Sequence, residues 1–247
     1  MAYSLYHTLN ISCQDMLNRM MDLDTIANNL ANVNTVGFRG SRMNFQELLS
    51  EQKLEGNTLI NTQVSNNQGV ITRTDNPLDW AIQGNGFFAV KLPGGEIGYT
   101  RDGMFQLDSK RQLVNSSGYL LKWDGQIPKE TTSINIENTG EVIASLSDGT
   151  LKSVGKIQLA SFANPTALIN AGNNVWIPSE ASGKAQMVTP GTSGCGIILS
   201  GAYEMSNINL ADEMTHLIRV QRDFQVTSKV FQQTDTMISE AIHIRKV

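Results

Sequence analysis

The sequence predicts an α+β protein: long N- and C-terminal helices forming a coiled-coil domain, with a central antiparallel all-β domain. Three observations carry this. Leu9, Cys13, Met16, Met20, Leu23, Ala27 and Leu30 follow one another at spacings of 4, 3, 4, 3, 4 and 3, the a/d pattern of a heptad. At the other end Leu210, Leu217, Phe224, Phe231 and Ile238 recur every seven residues, and Met214 and Ile242 share the second seam position. Between them lie short β-type runs punctuated by glycine-bearing turn dipeptides. The expected domains are residues 1–38 with 206–247 as the helical domain, 39–70 as a connecting segment and 71–205 as the β-rich domain.

Taken in order, a helix over residues 4–30 is about 40 Å long at ~1.5 Å per residue. Asn18, Arg19, Asp22, Asn28 and Asn29 fall off its apolar stripe. The helix is expected to stop between Asn32 and Gly37, where Asn32 and Asn34 tolerate turn conformations and Gly37 can take φ > 0. Phe38 then folds back as an apolar plug. Phe45, Leu48 and Leu49 point to one more short helical or extended piece, and residues 50–70 are a polar, aperiodic link that packs in extended form.

Strands are expected at Trp80–Ile82, Phe87–Val90, Tyr119–Trp123, Ser133–Ile136, Val142–Leu146, Lys156–Phe162, Asn174–Ile177 and Gly196–Tyr203. Gly94-Gly95, Asp102-Gly103, Asp124-Gly125 and Asp148-Gly149 are the expected turns, with Tyr99–Leu107 a hairpin about Asp102-Gly103. No helical pattern that could serve as a βαβ crossover intervenes, so the domain is an antiparallel sandwich or open barrel. Asn209 is the expected cap of the last helix, with Asp212 and Glu213 in its first turn and Arg245 and Lys246 at its far end, matching the helix dipole. That helix is about 50 Å long.

Composition narrows the function. The chain has 247 residues, 40% of them hydrophobic, enough for a sizeable core, and its net charge of −4 comes without a Lys/Arg block. Nucleic acid is therefore not an expected partner. No apolar run approaches membrane-spanning length, and the N-terminus lacks the charged and apolar regions of a cleavable signal. Cys13 sits on the helical seam as a small hydrophobe, and Cys195 lies between Gly194 and Gly196. Two thiols make no metal set, and a disulfide between them is not expected.

Gly84-Asn85-Gly86 precedes a strand rather than a helix and lacks a third glycine, so it is a turn or bulge and not a nucleotide cradle. His7, His216 and His243 have no second ligand at metal-type spacing. No nucleophile–base set is visible. No catalytic, cofactor or metal residue is expected, and no enzymatic activity. The seams are the candidate functional surface: Leu9, Met16, Met20, Leu23, Leu30, Leu210, Met214, Leu217, Phe224, Phe231 and Ile238. Narrow seams need helical partners. Either both helices fold onto their own β-domain, which they would overhang, or they pair with each other and with copies of themselves.

Two terminal stretches carry a resemblance. Asn28-Asn29-Leu30-Ala31-Asn32-Val33-Asn34-Thr35-Val36-Gly37-Phe38-Arg39 resembles the N-terminal signature of flagellar rod and hook (axial) proteins. Ser206-Asn207-Ile208-Asn209-Leu210-Ala211-Asp212-Glu213-Met214 resembles their C-terminal one, continued by Gln221-Arg222-Asp223-Phe224 and Ser228-Lys229. Asn76–Ile82, Gly84–Phe88 and Tyr99–Gly103 resemble the central motifs of the rod members. The family motif residues are thus Asn28, Asn29, Leu30, Asn32, Thr35, Gly37, Phe38, Ser206, Asn207 and Asn209.

The resemblance implies a non-enzymatic subunit of the bacterial flagellar basal body. Such subunits are exported through the type III apparatus without a cleaved signal. They polymerise helically with copies of themselves and with other rod and hook proteins into a hollow rod across the periplasm. It also implies an inner tube of terminal helices and an outer layer of β-domains. Gln221, Ser228 and Asp235, polar on an otherwise apolar seam, are expected to face the lumen or set register. Both the FlgF-type proximal rod and the FlgG-type distal rod fit the length. Residues 50–70 are short for the insertion common in the distal type, which favours the proximal one. A β-rich secreted adhesin or wall hydrolase is the alternative of a different class.

Overall fold

The computed structural model describes residues 2–46, 49–50, 53–54, 58–192 and 194–244. Among the described residues two α-helices bracket twenty-one short strands in sequence, so the chain is α+β. It divides into two compact units. One contains residues 1–31, 41–63 and 208–247, and the other residues 32–40 and 64–207.

In the first unit α1 spans Ala2–Ala31 and α2 spans Leu210–Ile244. Asn209 caps α2: its side-chain oxygen accepts from the Ala211 N–H at 3.1 Å, and its carbonyl accepts from the Glu213 N–H at 3.0 Å. Asp212 and Glu213 occupy the first turn, where carboxylates suit the positive end of the helix dipole. Between the helices in sequence come β1 (Ser41–Gln46), β2 (Leu49–Ser50), β3 (Lys53–Leu54) and β4 (Thr58–Val64). β1 pairs with β4, and β2 with β3. Within the link expected at 50–70, Lys53–Leu54 and Thr58–Val64 are extended and carry strand pairing that its polar composition did not signal. Leu48 lies outside the described residues. No helix among the described residues is long and apolar enough to cross a membrane.

The second unit is built of β5 (Ile71–Arg73), β6 (Trp80–Gln83), β7 (Phe88–Lys91), β8 (Ile97–Thr100), β9 (Gln106–Leu107), β10 (Leu113–Val114), β11 (Leu120–Leu121), β12 (Asp124–Gly125), β13 (Thr131–Ile136), β14 (Glu141–Leu146), β15 (Leu151–Lys156), β16 (Leu159–Ser161), β17 (Ile169–Gly172), β18 (Val175–Ile177), β19 (Gln186–Val188), β20 (Ile197–Ser200) and β21 (Ala202–Glu204). A seven-stranded sheet runs β17-β18-β8-β7-β11-β10-β9 and a four-stranded one β12-β15-β14-β13. Three two-stranded pairs, β16-β19, β20-β6 and β21-β5, complete it. The pairings are antiparallel throughout.

The main core packs Phe88, Leu113 and Leu121 of the larger sheet with Ile134, Ile136 and Val142 of the smaller. Trp80, Phe88 and Phe105 meet at ring-centroid separations of 5.0 and 5.2 Å, the latter edge-on. Ala89 and its neighbour Phe87 serve a second core with Tyr99 and Trp176. β7 is thus buried on both faces, which explains why Phe87–Val90 is continuously apolar rather than alternating.

The Gly94-Gly95 and Asp148-Gly149 turns are present, with Gly95 at φ 84° and Gly149 at φ 77°. Two others are not. Gly103 is no hairpin corner: its carbonyl accepts from the Trp80 N–H at 2.9 Å, and a Cβ there would lie 1.7 Å from the Trp80 carbonyl oxygen. Asp124-Gly125 is strand β12, paired with β15. Gly125 lies beneath the Trp123 ring, and a Cβ would come within 2.2 Å of it. In both places glycine serves close approach, not chain reversal.

Asp102 is correspondingly a buried carboxylate. It accepts from the Ser116 hydroxyl, the Ser116 N–H at 3.3 Å and the Met104 N–H at 3.1 Å. Burial raises its pKa above the ordinary 3.8, outweighing the hydrogen bonds that pull it down. A carboxyl raised in the fold holds a proton that the open chain has released. Its contribution to stability is full below 3.8 and is lost as pH rises through the raised value. Side-chain carboxyl NMR of the folded protein should therefore place the Asp102 midpoint above 3.8; a midpoint below that value contradicts this burial.

Candidate assembly surface and its anchor

Within the first unit α1 and α2 lie against each other, running in opposite directions. The Thr227 hydroxyl donates to Asp15 at 2.9 Å, Arg19 faces Asp223 at 3.5 Å, His216 faces Asp22 at 3.6 Å, and the Asn29 amide reaches Glu213 at 3.4 Å. Among the α1 residues turned inward, where Asn18 is also buried, Ser12, Asp15, Arg19, Asp22, Ile26 and Asn29 are spaced 3, 4, 3, 4 and 3. That is itself a heptad stripe, one position away from the apolar one, and only Ile26 in it is apolar. Burial raises the Asp22 pKa against the opposing charges of His216 and Arg19. Facing these residues, Val220 and Thr234 are the buried positions of α2.

The sequence-derived seam is divided by this arrangement. On α1 Leu9, Met16, Leu23 and Leu30 are half-buried, Cys13 and Ala27 are exposed, and Met20 is 52% exposed. Ile11, Leu17 and Met21 join it as exposed large apolar side chains. On α2 Leu217, Phe224, Phe231 and Ile238 are half-buried beside α1, whereas Leu210 and Met214 are exposed, along with Ile218. Of the polar seam positions, Ser228 is half-buried and Gln221 and Asp235 are exposed. Arg19, Asp22, Asn29, Arg42, Glu213 and His216 line a cleft of about 560 Å³ in the same unit, where Glu213 Oε2 is buried without a hydrogen-bond partner.

The motif asparagines turn out to be backbone clamps. Asn29 accepts from the Ser41 N–H at 3.0 Å and donates to the Ser41 carbonyl at 2.9 Å, imitating a strand neighbour at the start of β1. Asn207 does the same in the second unit, accepting from the Gly40 N–H and donating to the carbonyls of Asn67 and Ser65. Asn32 accepts from the Thr35 hydroxyl at 3.1 Å in the turn after α1. Gly37, at φ 65°, has no room for a side chain, since a Cβ would lie 2.4 Å from the Arg101 backbone. Phe38 and Ser206 are buried, and Asn28 is exposed.

Sequence reasoning passed over one further cluster. Glu204 sits between two arginines, its carboxylate taking Arg101 at 2.9 Å and Arg39 at 3.4 Å, and all three side chains are 2% exposed. Glu204 also accepts from the Gly69 N–H at 2.9 Å. Arg101 donates to the carbonyls of Ile82 and Gly84, Arg39 donates to Asn66, and both guanidinium groups lie over the Phe87 ring at 5.2 and 5.9 Å. Burial, reinforced by the charge of Arg101, lowers the Arg39 pKa to about 10 against the pull of Glu204. Burial lowers that of Arg101 as well. One anion thus fastens residues 39, 66–69 and 101 to the strand that ends at 204. Arg39 and Arg101 lie inside motifs visible in the sequence, but no local signal pairs them with Glu204.

Three family models match the chain: the flagellar hook protein FlgE/F/G D1 domain over residues 81–144, the flagellar basal body rod FlgEFG protein C-terminal over 199–244, and the flagella basal body rod protein over 21–39. The flagellar basal-body rod protein FlgG of Buchnera aphidicola subsp. Acyrthosiphon pisum is 36% identical over 243 residues, 90% of this chain and 93% of the relative.

The chain belongs to the flagellar basal-body rod protein family.

FlgG of Caulobacter vibrioides is also 36% identical, covering 96% and 98%, and FlgF of Mesorhizobium japonicum is 34% identical, covering 98% and 97%. The C-terminal model spans α2, and the rod-protein model ends at Arg39, one arm of the buried cluster.

Removing one partner from a buried charge cluster leaves the rest uncompensated, at a cost of about 3–5 kcal/mol. Glu204→Gln keeps the shape and leaves two buried guanidinium groups facing each other. Urea unfolding of the full chain, followed by tryptophan fluorescence, should show a loss of that size; a change below about 1 kcal/mol would show that the cluster does not hold the unit.

Proposed function

We propose that this chain is a structural subunit of the flagellar basal-body rod, polymerising helically through the apolar edges of α1 and α2. In that reading assembly is the function: the polymer transmits torque and encloses the export channel. Copies of the same chain and other rod and hook proteins are its neighbours. It is built across the periplasm from chains delivered by the flagellar type III apparatus without a cleaved signal. Family membership supports the rod assignment, and the proximal type remains our preference.

The observation that carries the reading is which stripe of α1 is used within the chain. The polar stripe is spent on α2, through contacts that are individually weak. Half-exposed ion pairs such as Arg19–Asp223 contribute about 0–1 kcal/mol each. The outer part of the apolar stripe, at Cys13, Met20 and Ala27, stays exposed with Leu17 and Met21 beside it, and so does the edge at Leu210, Met214 and Ile218. Covering such surface is worth about 25 cal/mol per Å². Two different edges on one subunit make a heterologous contact, which propagates instead of closing. Coiling of these helices around those of neighbouring copies belongs to the same proposal.

The test is Met20→Asp combined with Met214→Asp. Both side chains are exposed, so chain stability should change by less than about 1 kcal/mol, while electron microscopy should find rods absent or greatly shortened. Normal rods from this variant would refute the proposal.

A further inference from the structure

A second cleft, of about 320 Å³, lies in the β unit and is lined by Lys91, Lys110, Arg111, Trp123, Leu120 and Ile127 among others. No carboxylate lines it, and among the described residues none of the three cations forms an ion pair. This local excess of positive charge stands against a chain whose net charge is −4.

Arg111 is the unusual member. It stands in the turn between β9 and β10, where its N–H donates to the Asp108 carbonyl at 2.9 Å and the Asp108 carboxylate accepts from the Lys110 and Gln112 N–H groups. Its φ is 61°, a left-handed position that glycine ordinarily fills in such hairpins. The guanidinium is held by the Pro128 carbonyl at 2.6 Å and, more loosely, the Thr131 carbonyl. Neutral carbonyls fix where the charge sits without cancelling it. A strained cation, aimed and left uncompensated at the wall of a cleft, points to a ligand.

We propose that this cleft binds an acidic peptide segment of a partner chain. Carboxylates accept hydrogen bonds and carry the charge complementary to Lys91, Lys110 and Arg111, the charged groups of the lining. Leu120, Ile127 and the half-buried Trp123 ring supply the apolar floor for the aliphatic part of such side chains. A neutral saccharide fits less well, because it carries no charge to answer the three cations.

The test adds hexaglutamate to the full-length monomeric chain and follows tryptophan fluorescence and titration heat. Three variants accompany the parent: Lys91→Ala, Lys110→Ala and Arg111→Gly. The parent should bind saturably and more weakly as salt rises. Lys91→Ala and Lys110→Ala, at exposed positions, should bind less tightly. Arg111→Gly should lose about tenfold or more in affinity while staying folded, because relief of the left-handed strain offsets the lost hydrogen bonds to the Pro128 and Thr131 carbonyls. Absence of saturable binding, or parental affinity in all three variants, would overturn the proposal. So would tighter binding of an oligogalacturonate, which would make the cleft a saccharide site.

Discussion

The arrangement of the first unit follows from a single constraint on α1: one helix carries two heptad stripes side by side, and its own chain covers the polar one and only part of the apolar one. The stripe used is polar. Asp15, Arg19, Asp22 and Asn29 meet Thr227, Asp223, His216 and Glu213, contacts that fix register through direction and charge more than through burial. Ile26 and Val220, each 1% exposed, are the deeply buried apolar residues of this contact. Because polar partners lose their solvation unless matched, register errors are disfavoured. Because the net gain of each contact is small, the pairing is specific without being strong. The exposed side of the neighbouring apolar stripe, at Cys13, Met20 and Ala27, is then the adhesive edge on which the proposed polymer depends.

The β unit solves a different problem. It is made of two segments, residues 32–40 and 64–207, which have to be fastened to each other. The Arg39–Glu204–Arg101 cluster does this at the level of charge, while Asn207 does it at the level of backbone hydrogen bonds to Gly40, Ser65 and Asn67. Buried charge is a poor source of net stability, but it strongly penalises any arrangement in which one partner is missing. The motif residues Gly37, Arg39, Arg101 and Asn207 thus share a purpose within the β unit, fixing its first and last segments to its interior.

Much of this was legible in the sequence, for local reasons. The Asn209 cap, the first-turn acids, the strands at Phe87–Val90 and Val142–Leu146 and the turn at Asp148-Gly149 all depend on neighbours within a few residues. What was illegible depends on distance along the chain. Asp102-Gly103 has the composition of a turn, but Ser116 and the Trp80 backbone decide its conformation. Asp124-Gly125 became a strand because Gly125 fits under an indole ring. The apolar heptad was visible on α1, yet which stripe α2 would cover could not be read, because the polar stripe obeys the same spacing. Arg39, Arg101 and Glu204 are far apart in sequence, and nothing in their neighbourhoods announces a shared carboxylate.

Cys13 offers the most direct measurement, since the chain already places a reporter on the edge in question. It is an exposed free thiol on the apolar stripe of α1, and Cys195 is a buried free thiol that serves as the internal reference. Maleimide labelling should modify Cys13 rapidly in the monomeric chain and much more slowly once rods have formed, with Cys195 slow in both states. Equal labelling of Cys13 before and after assembly would contradict the central claim, because the edge would then remain open in the polymer.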